Sequence, residues 1–264
     1  MLRYIEHKVS GQAAFFIKKL WILDNQYHAQ PVIQKNVLPN GCFTIVFIHG
    51  NGLEVTTKQG LHVLPAGIYF CGQLTEAIQV NILAHTLATM VQLYPFTPAH
   101  FTQQPLETYV DRVVPINTLD LPFNMAPHVH YTGSTRKVLW YTFKNFIPLV
   151  HNAPSAVMIT QVCKMLTDMP SLTLSSICAT LGCSPRHLQK KFKLHVGITP
   201  KELAIILKLR LAVDDVTDDK LPYTQLALNH HFYDQAHFNN TFQQIVKTSP
   251  GKFRAPDYLL SEKN

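Results

Sequence analysis

Two habits of hydrophobic placement divide the chain. Up to about residue 120, apolar residues come in short runs or alternate with polar ones. "FFIKKLWIL" (15–23), "GCFTIVFIHG" (41–50), "LEVTTK" (53–58), "IYFCGQL" (68–74), "AIQVNIL" (77–83) and "TMVQLYPF" (89–96) are rich in β-branched and aromatic residues. Turn residues punctuate them at "LPNG" (38–41), "HGNG" (49–52) and "PAG" (65–67). Short strands at regular spacing predict a sandwich or a barrel. From about residue 100 the period lengthens. "LETYVDRVV" (106–114) and "TRKVLWYTFKNFIPLV" (135–150) are predicted helices, with a loop of two prolines and a glycine between them. "HNAPS" (151–155) is the predicted joint, dividing the chain into a β-rich domain at 1–152 and a helical domain at 153–264.

The helical part is well punctuated. A helix capped by Ser155 runs to about Thr167, and Pro170 breaks the chain. Thr173 caps "LSSICATL" (174–181), and Gly182 stops it. Three further starts share a hydroxyl residue followed by proline: Ser184-Pro185, Thr199-Pro200 and Ser249-Pro250. Such a pair satisfies the free amides of a first helical turn with a side-chain oxygen, and proline loses nothing there. "PKELAIILKLRLAVDDV" (200–216) is a long helix of roughly 25 Å. "YTQLALNH" (223–230) and "DQAHFNNTFQQIV" (234–246) follow.

These helices form two similar pairs. Ile177-Cys178 matches Leu226-Ala227 at an offset of 49, and His187-Leu188 and Phe192 match His237-Phe238 and Phe242 at 50. A helix, a tight turn and a second helix with small and apolar residues at those places is the helix-turn-helix pattern. Leu188/Phe192 and Phe238/Phe242, four apart, make the buried stripe of each second helix. The residues between them point away and are the ones able to enter a DNA groove. With the flanking helices added, the 200–216 connector sets the two readers about one DNA turn apart, roughly 34 Å.

"SPRHLQKKFKLHVGITP" (184–200), "PKELAIILKLRLA" (200–212) and "LALNHHFYDQAHFNNTFQQIVKTSPGKFR" (226–254) resemble the DNA-binding domain of the AraC/XylS family of bacterial transcription regulators, over about residues 155–256. The family's motifs read "SPRxLxRxFKxxxGxSP", "PxxYLxxxRLxxA" and "IAxxxGFxDQSHFxRxFKxxxGxSPxxFR". This chain departs from them at Lys208 (usually Arg), His231 (the turn glycine), Asn240 (Arg), Gln243 (Lys) and Thr248 (Gly). A left-handed backbone at position 231 costs a histidine roughly 1 kcal/mol more than a glycine, so a looser or differently wound second turn is expected. "LPNGCFTIVF" (38–47) and "VQLYPFTPA" (91–99) resemble a poorly characterised cupin-like N-terminal branch of the same family. The resemblance implies an α+β protein of two domains, a cupin-like barrel followed by an all-α half. Its helix-turn-helix units would bind promoter DNA, and its first half would respond to a small-molecule effector or dimerise.

Charge refines this picture. The chain carries a formal +7, and its first reading helix holds Arg186, Lys190, Lys191 and Lys193, while "FYDQAHFNNTFQQ" (232–244) holds no Lys or Arg. Phosphate contacts give affinity and register, and base edges give sequence choice. Arg186 and Lys190 suit guanine edges or phosphates, and Gln189 suits adenine. Gln235, Asn239 and Asn240 are amides suited to adenine, and the second unit must borrow anchorage from Lys247, Lys252 and Arg254. The first unit is therefore expected to dominate affinity.

Remaining chemistry is sparse. Phe43, Phe47, Tyr69 and Phe70 are candidate lining for an effector pocket in the barrel, with ordinary core packing the alternative for each. Five cysteines form no CxxC pair and read as free thiols of a cytoplasmic protein. No signal-peptide core or membrane-length apolar run is present. His128 and His130 form an HxH without the glutamate of metal cupins, so neither metal nor cofactor is expected, and no hydrolase or phosphate-loop motif points to an enzyme. The reading is an effector-responsive DNA-binding regulator, an activator or a repressor, with RNA polymerase and a second copy as further partners. The alternatives are a metal-dependent cupin enzyme with a helical appendage, or an adaptor that has lost DNA binding.

Overall fold

The computed structural model describes residues 2–119, 138, 154–218 and 221–259. Among the described residues ten strands precede the helical half: β1 Arg3–Lys8, β2 Ile17–Asn25, β3 Val32–Val37, β4 Phe43–His49, β5 Leu53–Thr57, β6 Gly60–Leu64, β7 Gly67–Cys71, β8 Ile78–Ile82, β9 Thr86–Leu93 and β10 Val113–Pro115. They form a six-stranded sheet in the order β1-β2-β9-β4-β7-β10 and a four-stranded sheet in the order β3-β8-β5-β6. Every neighbouring pair of strands is antiparallel.

The larger sheet is covered on both faces, and alternation along its strands shows it. Val46 and Ile48 of β4, with Trp21, Tyr69 and Met90, face the four-stranded sheet and its Val55, Val80 and Ile82. Phe43, Ile45 and Phe47 of the same strand face the other way, onto Phe70, Phe101, Leu106 and Val138. Burial on two faces explains why β9 is buried along its whole length.

Six helices follow among the described residues: α1 Pro154–Asp168, α2 Leu174–Leu181, α3 Pro185–Val196, α4 Pro200–Asp218, α5 Tyr223–Asn229 and α6 Gln235–Val246. The caps act largely as expected. The Thr173 hydroxyl accepts the Ser176 amide, and the Ser184 hydroxyl accepts the His187 amide. Thr199 and Glu202 form a reciprocal box: the Glu202 amide donates to the Thr199 hydroxyl, and the Thr199 amide donates to the Glu202 carboxylate. Asp234 caps the α6 amide of His237 at 2.7 Å.

Several expectations are corrected. Residues 106–114 are no α-helix: Leu106–Tyr109 is a short 3-10 turn, and Val113–Pro115 pairs with β7. Ser249 makes no side-chain cap and leads only a three-residue 3-10 turn, Pro250–Lys252. Helix α1 begins at Pro154, so Ser155 lies inside it. The expected helix at 135–150 lies outside the described residues except for Val138, which is helical and buried. The domain boundary at 152/153 also falls outside them.

The halves are packed together. Phe96 and Ala99 join the core that α1, α3 and α4 build. The His100 ring meets the Thr160 hydroxyl at 2.9 Å, with both residues buried. Gly41, at φ 71, sits so close to Leu203 of α4 that a β-carbon there would lie 2.6 Å from it.

Candidate nucleic-acid interface

Both pairs of helices have the helix-turn-helix build. In the first, α2 ends at Gly182 with φ 64, and the Cys183 amide reaches back to the Cys178 carbonyl. In the second, His231 takes φ 57, and the Phe232 amide reaches back to the Ala227 carbonyl at 2.8 Å. The left-handed turn survives without its glycine, so the looser winding expected there is absent. Lys208, at the departure from arginine, donates to the His231 carbonyl at 3.2 Å and holds the turn from α4.

Each second helix buries its stripe. Leu188 and Phe192 of α3, and Phe238 and Phe242 of α6, are fully buried. Opposite the stripe, α3 exposes Arg186, Gln189, Lys190 and Lys193. On α6, Gln235 and Asn240 are exposed and Asn239 is half-buried, its side-chain oxygen enclosed with no hydrogen-bond partner among the described residues. Thr224 of α5 donates to the Gln235 side-chain oxygen at 2.7 Å. Lys247 and Arg254 are exposed beyond the end of α6. Asn240 stands 50 residues after Lys190, at the same place on the equivalent helix, so the charge difference between the units falls at matching positions.

The β-rich half reaches into this surface. Lys193 pairs with Glu107 at 3.5 Å, and Lys247 with Glu76 at 2.5 Å. Next to the second pair, the Ala77 amide donates to the Ile245 carbonyl at 2.6 Å. Two of the cations expected to hold phosphate are thus engaged by carboxylates of the other half. Sequence reasoning missed both partners, because nothing local marks Glu76 or Glu107.

Cavities open among the described residues of the β-rich half and at its border. A cleft of about 690 Å³ between the halves takes Lys8, Lys18 and Lys19 from one side and Arg210 and Asp214 from α4. A smaller cavity of about 70 Å³ lies between the sheets, with Leu23, Val46, Val55, Val80 and Met90 in its wall. Trp21, Val37, Asn40 and Leu259 line both. The four aromatic residues expected to form a pocket line neither of these two. Phe43 and Phe70 stack at 5.5 Å with Phe47 on the far face of the sheet. Tyr69 faces inward, and its hydroxyl donates to the Pro65 carbonyl.

Other reactive groups are muted. Burial raises the Cys42, Cys71 and Cys163 thiols, Cys71 to about 12. Among the described residues no three of His, Cys, Asp and Glu converge on a metal-sized site, and no helix is long and apolar enough to cross a membrane. His128 and His130 lie outside the described residues.

The family match agrees with the helix-turn-helix geometry. Residues 177–256 match a family described as a helix-turn-helix domain, and residues 6–115 match a domain of unknown function, DUF6597. An uncharacterised HTH-type transcriptional regulator of Staphylococcus aureus is 25% identical over 124 residues, 45% of this chain and 17% of its own length. The HTH-type transcriptional regulator GlxA of Rhizobium meliloti is 26% identical over 103 residues, 39% of this chain and 32% of its own length. The matches therefore span less than a third of either relative. Among solved structures, ToxT of Vibrio cholerae covers 96% of this chain and is itself covered over 96%, at 11% identity and a TM-score of 0.46. The C-terminal domain of AraT, a response regulator of Geobacillus stearothermophilus, covers 40% of this chain and is covered over 91%, at 20% identity and a TM-score of 0.36. Two left-handed turns, two buried aromatic or aliphatic stripes and a matched segment spanning both describe a helix-turn-helix domain at residues 177–256, behind a segment that matches DUF6597.

Proposed function

We propose that this protein is a transcription regulator that binds double-stranded promoter DNA through α3 and α6, and that its β-rich half modulates that binding. The observation that carries the reading is the matched exposure of Lys190 and Asn240 on two helices whose opposite faces are locked into the core. In this reading Arg186, Lys190 and Lys193 anchor the first unit on phosphate or guanine, and Gln189 reads a base edge. Asn240 keeps its amide free for a two-point contact with adenine. Gln235 and Asn239 each have their oxygen engaged or enclosed, which leaves their amide hydrogens to make any base contact. Lys247 and Arg254 supply the second unit's phosphate contacts. Helix α4, 19 residues and about 28 Å long, sets the spacing of the two readers.

The chain divides at about 152/153 into a modulating and a DNA-binding domain. Binding of a small molecule in the β-rich half, pairing with a second copy, contact with RNA polymerase and a cytoplasmic site belong to the same reading. Selection of a DNA site from a random pool, followed by mobility shift at several salt concentrations, tests it. One sequence bound with a steep salt dependence supports the reading; absence of any salt-sensitive DNA binding refutes it.

A further inference from the structure

The segment that follows the second helix-turn-helix unit touches both halves of the molecule. Phe253 lies edge-on against Phe242 of α6 at 5.7 Å, and the Tyr258 ring meets Phe253 at 4.5 Å, tilted by 32°. The Tyr258 hydroxyl donates to the Val246 carbonyl at the end of α6. One residue later the chain has crossed to the edge strand β3. The Leu259 amide donates to the Asn36 carbonyl at 2.8 Å, the Asn36 side chain donates to the Asp257 carbonyl, and Lys35 donates to the Pro256 carbonyl at 2.6 Å. Asn36 and Tyr258 pair as a parallel bridge. The Leu259 side chain packs with the core between the two sheets and stands in the wall shared by the small cavity and the inter-domain cleft.

We infer that residues 255–259 are a strap that closes the cavity between the sheets, and that a small uncharged apolar molecule entering this cavity expels Leu259 and loosens the second helix-turn-helix unit. The proposal rests on the effector reading above and names the ligand class and the route of its signal. The lining decides the class: it carries no charged side chain, and Leu23, Val46, Val55, Val80 and Met90 make it mainly apolar, with Asn40, Thr44 and the buried Trp21 Nε1 its few polar groups. Size decides the need for displacement. About 70 Å³ is half of the roughly 150 Å³ at which an apolar cavity admits benzene, so a ring fits only once Leu259 withdraws. Withdrawal breaks the Leu259–Asn36 hydrogen bond and pulls on Tyr258, which is anchored to Val246 and Phe253. Position and movement are thereby linked across the two halves by one short segment.

The test titrates benzene into the full-length protein and follows calorimetric heat, hydrogen exchange of residues 253–259, and mobility shift of the selected DNA. Saturable binding with at least tenfold faster exchange at Tyr258 and Leu259 is expected. Leu259→Ala should bind benzene about tenfold more tightly and show the fast exchange without it. Where Leu259→Ala folds poorly, the wild-type titration decides alone. Benzene binding with unchanged exchange at 258–259 overturns the strap while leaving an effector site in the β-rich half standing. Absence of saturable binding in both proteins overturns the ligand class, and DNA binding of the ligand-free protein stays a separate measurement.

Discussion

His231 occupies in the second turn the left-handed backbone position that Gly182 occupies in the first, at φ 57 and 64. The hydrogen bonds around the two are equivalent: Cys183 to Cys178 in one, Phe232 to Ala227 in the other. The turn geometry is therefore imposed by the packing of the helices, and the second unit holds it against the preference of its residue. A left-handed histidine is about 1 kcal/mol less favourable than glycine. His231→Gly should stabilise the helical half by about that amount, read as a rise in its urea midpoint with unchanged slope. An unchanged or lowered midpoint would show that the His231 side chain contributes what its backbone loses.

The same comparison explains which parts of the fold were legible in the chain. Caps, left-handed stops and the 49–50 residue repeat are local, so the six helices between Pro154 and Val246 lie within a few residues of their expected ends, while residues 106–114, which carry none of these signals, form a 3-10 turn and a strand instead of the expected helix. Strands β1, β3 and β6 carry no such signal. Each is an edge or near-edge strand with much exposed surface, and β6 even turns Leu61 and Val63 outward. Alternation shows that Phe43 and Phe47 share a face. It does not say which face looks at the other sheet, because both faces of the six-stranded sheet are buried and apolar. The pairings of Lys193 and Lys247 were invisible for a different reason: their partners are 86 and 171 residues away in sequence, Glu107 and Glu76.

In the proposed regulator those two pairs compete with DNA phosphate for the lysines. Lys193 and Glu107 are both about half exposed, and such a pair is worth at most about 1 kcal/mol. Removing the carboxylate frees the lysine for phosphate. Glu107→Gln and Glu76→Gln should each tighten binding to the selected site by up to about fivefold at low salt, with the gain shrinking as salt rises. Adding Lys193→Ala to Glu107→Gln should abolish the gain. Weaker binding by either glutamine variant would mean that the carboxylates hold the units in their DNA-ready arrangement.

Lys190 and Asn240 occupy matching places and should fail differently. A phosphate-neutralising lysine contributes about 0.9 to the slope of log affinity against log salt. Lys190→Ala should lower that slope by about one and weaken all sequences alike. Asn240→Ala should leave the slope unchanged and relax the base preference at one position, by about 1–3 kcal/mol of discrimination. Mobility shifts over a salt series, on the selected site and on single-base variants of it, separate the two. A larger slope change from Asn240→Ala than from Lys190→Ala would refute the division of labour between the units.

The last expectation concerns pH. His195, near the end of α3, is buried, and neither ring nitrogen has a hydrogen-bond partner among the described residues. Burial lowers its pKa from the ordinary histidine value of 6.5, and the nearby Lys191 lowers it further. In the unfolded chain the ring takes up its proton near pH 6.5, while in the folded chain it resists protonation until lower pH. The unfolded state therefore binds more protons over the interval between the two values, and stability increases with pH there. The contribution is fully present above about pH 6.5 and is lost as pH falls from that value toward the folded one. His195→Leu removes the titration. The difference in unfolding free energy between wild type and variant should be flat above pH 7.5. Below pH 6.5 it should slope by close to one proton, wild type losing more. Comparing denaturant unfolding of the two proteins from pH 5 to 8 cancels the other histidines and the carboxylates. A pH-independent difference would show that the His195 ring is solvated in the folded protein, and would place water or another polar group beside the end of the first reading helix.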